Sequence, residues 1–227
     1  MTWLHSILIG ITLFATVIQT WHHPVLTTAL LTITLIAQAR LTPHPNDKRA
    51  MLAAALLGTP AEAISVHLGE WTYHAPNLIL GLPIWIPLIW ANLFPLYRRL
   101  GRLLHPWIFG NEQFKKKVYI TLSILIILYG YATLTLMHKT PIIHLLYSGF
   151  LIAMAGFWRS SMDLLLFVIG ASLGTLGEYT CVQLGYWHYY NPYFQQAGID
   201  ITLAMDWGLS TVIIHRIAES TSSHHHT

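Results

Sequence analysis

Residues 164–184 read LLLFVIGASLGTLGEYTCVQL, a run in which Glu178 is the only Asp, Glu, Lys or Arg. A helix of that length covers about 30 Å, the thickness of a bilayer's hydrocarbon core. Two more runs, Trp3–Trp21 and Tyr119–Met137, are as apolar and contain no acidic or basic residue other than histidine. Across all 227 residues the chain is 54% hydrophobic and 9% charged, with a mean hydropathy of +0.52. Soluble chains carry about 25% charged residues. The composition excludes an ordinary soluble domain and points to an all-α membrane protein that crosses the bilayer several times.

Apolar runs between polar punctuation predict eight transmembrane helices, at about 3–21, 25–40, 50–68, 81–97, 118–137, 141–157, 163–184 and 199–215. Pro24 and Pro141 open the second and sixth, where proline suits a first helical turn. The chain has 12 Lys and Arg in total. With eight spans, only Lys139 falls on one side. Arg40, Lys48, Arg49, Arg98, Arg99, Arg102, Lys115, Lys116, Lys117, Arg159 and Arg216 fall on the other. Positive charge collects on the cytoplasmic side, so both termini are expected there, in a multi-pass protein of the cell (inner) membrane.

That distribution also explains the net charge of +3 and pI of 9.0 without nucleic acid. The Lys115–Lys117 cluster needs no partner beyond anionic lipid headgroups. A single cysteine, Cys181, excludes an intrachain disulfide and any multi-cysteine metal or iron–sulfur site. The first segment lacks a basic leader and a small-residue cleavage site, so it reads as a retained helix.

The two halves repeat. Gly58-Thr59-Pro60-Ala61-Glu62 matches Gly174-Thr175-Leu176-Gly177-Glu178. Beyond each glutamate comes a glycine and then an aromatic segment, expected as a hairpin: Gly69–Pro76 against Gly185–Pro192. Gly81-Leu82-Pro83 through Trp90 then matches Gly198-Ile199-Asp200 through Trp207. The offset is 116 or 117 positions throughout. Residues 1–100 and 118–218 are thus two four-helix repeats, parallel because each holds an even number of spans. Residues 101–117 form a basic cytoplasmic linker, and 219–227 a disordered tail.

The repeat sets acids at one depth. Gly58, Glu62, Ser65 and Gly69 share one helical face, as do Gly174, Glu178, Cys181 and Gly185. Each glutamate lies about 10 Å below its aromatic segment at the helical rise, and Asp206 sits at a similar level. No Lys or Arg is expected at that depth. Carboxyls without a cation in an apolar medium favour their neutral form. A neutral acid among aromatic rings suits protonation of a carbon–carbon double bond, with ring faces stabilising the cation. Trp71, Tyr73, Trp85, Trp90, Trp187, Tyr189 and Trp207 are the candidate rings.

Blander roles exist for each. A neutral glutamate also bonds neighbouring helices together. Trp and Tyr near a membrane surface often form a belt, a role that suits Trp71, Tyr73, Trp187 and Tyr189 better than the deeper Trp90 and Trp207. His67, His74 and His188 lie near the outer face but lack two-ligand helical spacing, so no metal is expected. His144 reads as a core residue or proton relay.

The runs Glu62-Ala63-Ile64-Ser65-Val66-His67-Leu68-Gly69-Glu70-Trp71-Thr72-Tyr73 and Gly81-Leu82-Pro83-Ile84-Trp85-Ile86-Pro87-Leu88-Ile89-Trp90 resemble two related groups. These are the integral-membrane carotenoid hydratases, called carotenoid biosynthesis proteins, and the small duplicated lycopene cyclases. The resemblance covers about 30 residues of each half. It implies a polyprenoid substrate, acid-initiated hydration or cyclisation, and no redox cofactor. The cyclases carry paired acids after the proline segment, where this chain has Ile84 and Trp85; its second half has Asp200 and Asp206. Pro83, Pro87 and Trp90 fit the hydratase pattern better.

The expectation is therefore a membrane enzyme acting on an isoprenoid or carotenoid lipid. Glu62 and Glu178 are the candidate acids, and Asp206 positions one of them or activates water. A proton-coupled transporter, also built from repeats with intramembrane acids, is the alternative, and a non-catalytic assembly factor a third. The sequence leaves the oligomeric state open.

Overall fold

The computed structural model describes residues 3–41, 44–76, 78–110, 160–190, 198–200 and 202–220. The expected spans at 118–137 and 141–157 lie outside these residues, as do His144, Lys115–Lys117 and Lys139. Among the described residues the chain is mostly helical: α1 (Trp3–Thr20), α2 (Pro24–Leu41), α3 (Pro45–His67), α4 (Ile86–Phe109), α5 (Ser161–Gln183) and α6 (Leu203–Ser220). Four short strands accompany them: β1 (Trp71–Tyr73), β2 (Leu78–Ile79), β3 (Leu82–Pro83) and β4 (Trp187–Tyr189). Two helices, α3 over Asn46–His67 and α5, are long and apolar enough to cross a membrane.

Helix α3 packs along α4, and α5 along α6; the two pairs meet as α4 on α5 and α3 on α6, while α1 and α2 flank α4. Where α3 meets α4 and α5 meets α6, small residues permit close approach. A Cβ on Gly58 would fall inside the Trp90 indole, and one on Gly174 inside that of Trp207. Apolar side chains point outward as well as inward: Ile11, Leu52, Leu56 and Ile64 are each about 60% exposed. Such a surface suits hydrocarbon rather than water.

Gly69 and Gly185 do not belong to the acidic helix face; they end the helices. Both adopt left-handed backbone, φ 73° and 75°, which glycine takes without a Cβ clash. The Gly69 and Glu70 N–H groups donate to the carbonyls of Val66 and Ser65, each at 3.0 Å. Gly185 and Tyr186 donate to Val182 and Cys181, each at 2.9 Å. Each is a glycine-terminated helix end that satisfies carbonyls otherwise left without donors.

The aromatic segments differ from expectation in an informative way. Neither folds back on itself. β1 pairs antiparallel with β4, with Trp71 opposite Tyr189, Thr72 opposite His188 and Tyr73 opposite Trp187. The 116-residue offset exchanges these pairs among themselves, so the ribbon is self-complementary under the repeat. The His74 N–H bonds the Tyr186 carbonyl at 2.9 Å, and the Tyr190 N–H bonds the Glu70 carbonyl at 3.1 Å; the offset interchanges those two as well. Each segment is only three residues long, and its equivalent in the other half supplies the backbone partner that a turn within the segment could not.

Three boundaries also shift. Leu82-Pro83 forms β3 against β2 instead of opening a helix, and α4 begins at Ile86 with Pro87 in its first turn. α4 then continues to Phe109, so the first part of the expected linker is helical. Its Tyr97-Arg98-Arg99-Leu100-Gly101-Arg102-Leu103-Leu104 sequence alternates packing and charge at helical spacing, and Gly101 lies against Leu166 of α5. Helix α6 extends to Ser220, taking in Glu219 from the expected tail because that carboxylate has a partner in α4.

Candidate functional site

A cavity of about 360 Å³ lies between α1, α4 and α5. Glu62, Tyr73, Trp85, Trp90, Glu178, Trp187 and Trp207 all line it. α1 contributes Ser6, Leu13 and Val17; α5 contributes Gly177 and Cys181 beside Glu178. Among the described residues no Lys, Arg or His lines it. Ile7 and Phe14 of α1 and Leu173 and Leu176 of α5 also border it, and all four are exposed on the protein surface. The mouth therefore opens through an apolar rim between two helices.

The two glutamates are held by related donors. The Tyr73 hydroxyl donates to Glu62 Oε2 at 2.6 Å. Glu178 Oε2 accepts from Trp187 Nε1 at 2.8 Å and from the Tyr189 hydroxyl at 3.1 Å. Tyr73 and Tyr189, Trp71 and Trp187, and Trp90 and Trp207 are the repeat-related pairs. Glu62 is buried and Glu178 partly so. The Tyr hydroxyl and Trp N–H donors hold each carboxyl in one orientation.

The rings pack on one another across the two halves. Trp90 and Trp207 stack with centroids 5.3 Å apart and planes 13° apart, and Phe94 stacks on Trp90 at 5.1 Å. Trp71 lies against Tyr189, and Tyr73 against Trp187, both at 5.4 Å. Stacked and tilted aromatic pairs add about 0.5–1.5 kcal/mol each beyond their burial. Trp21 of the α1–α2 turn closes the group, stacked on Tyr186 at 4.5 Å and edge-on to Trp85 at 5.2 Å.

Three candidates stand apart from the lining. Tyr189, which bonds Glu178 from the ribbon, and Trp71, which lies against Tyr189, are not among the lining residues. Asp206 lies beyond it, in the first turn of α6, where its Oδ2 is 3.4 Å from the Thr202 hydroxyl. Asp200 receives the Thr202 N–H at 2.9 Å, a cap at the start of α6. Among the described residues no three His, Cys, Asp or Glu side chains gather as a metal would need. His74 Nδ1 instead lies 3.0 Å from the Gly185 carbonyl.

Sequence reasoning took the arginines only as markers of sidedness, and so missed a buried ion network at the opposite end of the helices. Asp47 of α3 receives Arg99 Nε at 3.2 Å and Arg102 Nη2 at 2.8 Å, and lies 3.7 Å from Arg98 Nε. Arg98 also donates to Glu219 at 2.5 Å and to the Asn46 carbonyl at 2.8 Å. Arg99 donates to Gln38 Oε1 at 2.8 Å, and Gln38 in turn donates to Asn92 Oδ1 at 2.8 Å. Burial pushes the Arg98 and Arg99 guanidiniums below their ordinary pKa, and the Asp47 carboxylate opposes that shift. In the second half Arg216 pairs with Asp163. Asp163 stands 116 positions after Asp47 and Arg216 stands 117 after Arg99, so this ion pair is part of the repeat. The offset alone was a usable signal.

No family model, curated protein or solved structure matches this chain.

Proposed function

We propose that the chain is an integral membrane enzyme that protonates a carbon–carbon double bond of an isoprenoid or carotenoid-type lipid. Its architecture on this reading is eight transmembrane helices in two parallel four-helix repeats, with both termini cytoplasmic. The observation that carries the reading is the pair of glutamates, Glu62 bonded by Tyr73 and Glu178 by Trp187 and Tyr189, lining one apolar cavity with no cationic side chain among its described lining residues. Trp187 Nε1 and the Tyr189 hydroxyl both bond Oε2 of Glu178, which leaves Oε1 to carry the acid proton.

In the proposed step the glutamic acid proton moves to one alkene carbon, and the π electrons form the new C–H bond. The cation left on the other carbon lies among the faces of Trp85, Trp90 and Trp207. Water adds to it, and the proton that water releases restores the acid. The sum is hydration, with no oxidant or reductant consumed; loss of a proton after ring closure would give cyclisation instead. Positioned acids of this kind contribute about 10²–10⁴-fold.

Glu62→Gln and Glu178→Gln, made separately, test it. Lipid extracts from cells carrying each variant are compared with wild type by mass spectrometry. At least one variant is expected to lose a polyprenoid product by about 100-fold or more. Unchanged products in both would end the acid mechanism. Proton flux in liposomes that disappears with Glu178→Gln, with lipids unaltered, would replace the enzyme by a proton-coupled carrier.

A further inference from the structure

We infer that the repeat builds a second site, the image of the cavity on the other side of the glutamate pair, and that this second site holds water where the first holds an apolar chain. Its role rests on the hydration proposed above; its place rests on the repeat. Three candidates stand off the cavity wall, and each is the repeat partner of a residue in that wall. Trp71 corresponds to Trp187 and Tyr189 to Tyr73 at an offset of 116, and Asp206 to Ile89 at 117; Trp187, Tyr73 and Ile89 all line the cavity. The packing carries the same exchange. α4 begins at Ile86 and α6 begins 117 positions later, at Leu203. Gly58 meets Trp90 as Gly174 meets Trp207, and α4 packs on α5 as α3 packs on α6. Glu62 and Glu178 exchange with each other, so one pair of carboxyls serves both sides. The image of the wall built by α4 and α5 is therefore the face of α6 and α3 that carries Asp206 and Ser65.

The two sides differ in chemistry at the end that holds the acids. Asp206 stands in the place of Ile89, Thr202 in that of Trp85, Ser210 in that of Leu93 and Ser65 in that of Cys181. Farther along α6, Ile213 and Ile217 stand for Leu96 and Leu100, and the apolar character returns. The polar change is thus local. Thr202 Oγ1 lies 3.4 Å from Asp206 Oδ2, and Asp206, Ser210 and Ser65 are each only half-buried. An ordered water needs about two to four polar partners, which hydroxyls and a carboxylate supply and the side chains of isoleucine and leucine do not. Hydration needs water at the acids without water along the whole lipid chamber. Two sides meet that need: the chain reaches the carboxyl pair through the apolar rim, and water reaches it from the face of Asp206.

Ser65 and Cys181, related by the repeat, offer one reporter on each side, and Cys181 is the chain's single cysteine. The full-length protein in detergent micelles is compared as wild type and as Cys181→Ala with Ser65→Cys. Each is treated with hydroxyethyl methanethiosulfonate, a small neutral reagent that attacks the thiolate, and modification is followed by intact-protein mass spectrometry. Thiols ionise readily in water and poorly in apolar surroundings, so the Ser65→Cys thiol is expected to react about tenfold faster than Cys181, or more. Asp206→Ile, which installs the residue found at the repeat partner, is expected to slow the Ser65→Cys thiol several-fold. In the otherwise wild-type chain it is expected to leave the rate at Cys181 unchanged. A Ser65→Cys thiol no faster than Cys181, one indifferent to Asp206→Ile, or a Cys181 rate that falls equally with Asp206→Ile would each overturn the inference. Should Asp206→Ile fail to fold, Ser210→Leu makes the same exchange one turn along and is judged by the same outcomes. The readout is access to water, not turnover. Unaltered lipids in Glu62→Gln and Glu178→Gln would end the acid mechanism and leave the water site standing; slow labelling at position 65 would remove the water site and leave the acids.

Discussion

Removing the Asp47 carboxylate is the most severe test of the buried ion network. Asp47 and Arg98 are each 1% exposed, and Arg99 is 4%. At an effective dielectric of about 20, a charge pair about 4 Å apart attracts by about 4 kcal/mol, and Asp47 faces three guanidiniums at 2.8, 3.2 and 3.7 Å. Arg102 is 32% exposed and can turn to water, so its share is discounted. Arg98 keeps Glu219 and the Asn46 carbonyl. Arg99 keeps Gln38 but loses the one carboxylate that pairs with it among the described residues. Asp47→Ala therefore leaves a buried cation without a counter-charge, a loss of about 3–5 kcal/mol. Asp163→Ala is the internal comparison: its partner Arg216 is 44% exposed, so that variant should lose only about 1 kcal/mol. Thermal unfolding of the detergent-solubilised protein, followed by tryptophan fluorescence and by the monodisperse fraction on gel filtration, measures both. The Tm of Asp47→Ala is expected to fall more than twice as far as that of Asp163→Ala. Equal shifts, or a larger one for Asp163→Ala, would refute the weight placed on burial.

Helix contact gives a second comparison. Gly58→Ala and Gly174→Ala drive a methyl into the stacked Trp90 and Trp207 rings and should each destabilise by about 1–3 kcal/mol. Gly177→Ala meets nothing within 4 Å and should hold or slightly raise the Tm in the same assay. Sidedness is checked with reporter tags: one after residue 110 and one at the C-terminus should both report the cytoplasm, and one after His74 the opposite face. Tags after residue 110 and at the C-terminus on different sides would break the proposed even count of spans.

What the sequence disclosed was mostly periodic or repeated. The offset of 116 or 117 residues tied Glu62 to Glu178 and Trp90 to Trp207, and the structure brings all four to one cavity. The same offset held the pairing of Asp47 with Arg99 and of Asp163 with Arg216, but charge counted by side concealed it. Other features are not local. That β1 pairs with β4 depends on two segments more than a hundred residues apart, and a three-residue strand carries too little pattern to name its partner. The share of α1 in the cavity was hidden for a different reason: Ser6, Leu13 and Val17 look like any apolar span until α4 and α5 are set beside them. Asp206 matched the glutamates in depth, yet its place in the turn before Trp207 puts it off the cavity, because depth along a helix does not fix direction around it.

The ribbon joining the two halves also acts as a gauge. A slip of one residue between β1 and β4 would turn every side chain of the moving strand to the opposite face, pulling Tyr73 away from Glu62 or Tyr189 away from Glu178. Because each strand follows closely on the end of its acid-bearing helix, the ribbon keeps the two carboxyls level. Sliding of β1 past β4 would therefore cost both glutamates their tyrosine bonds together.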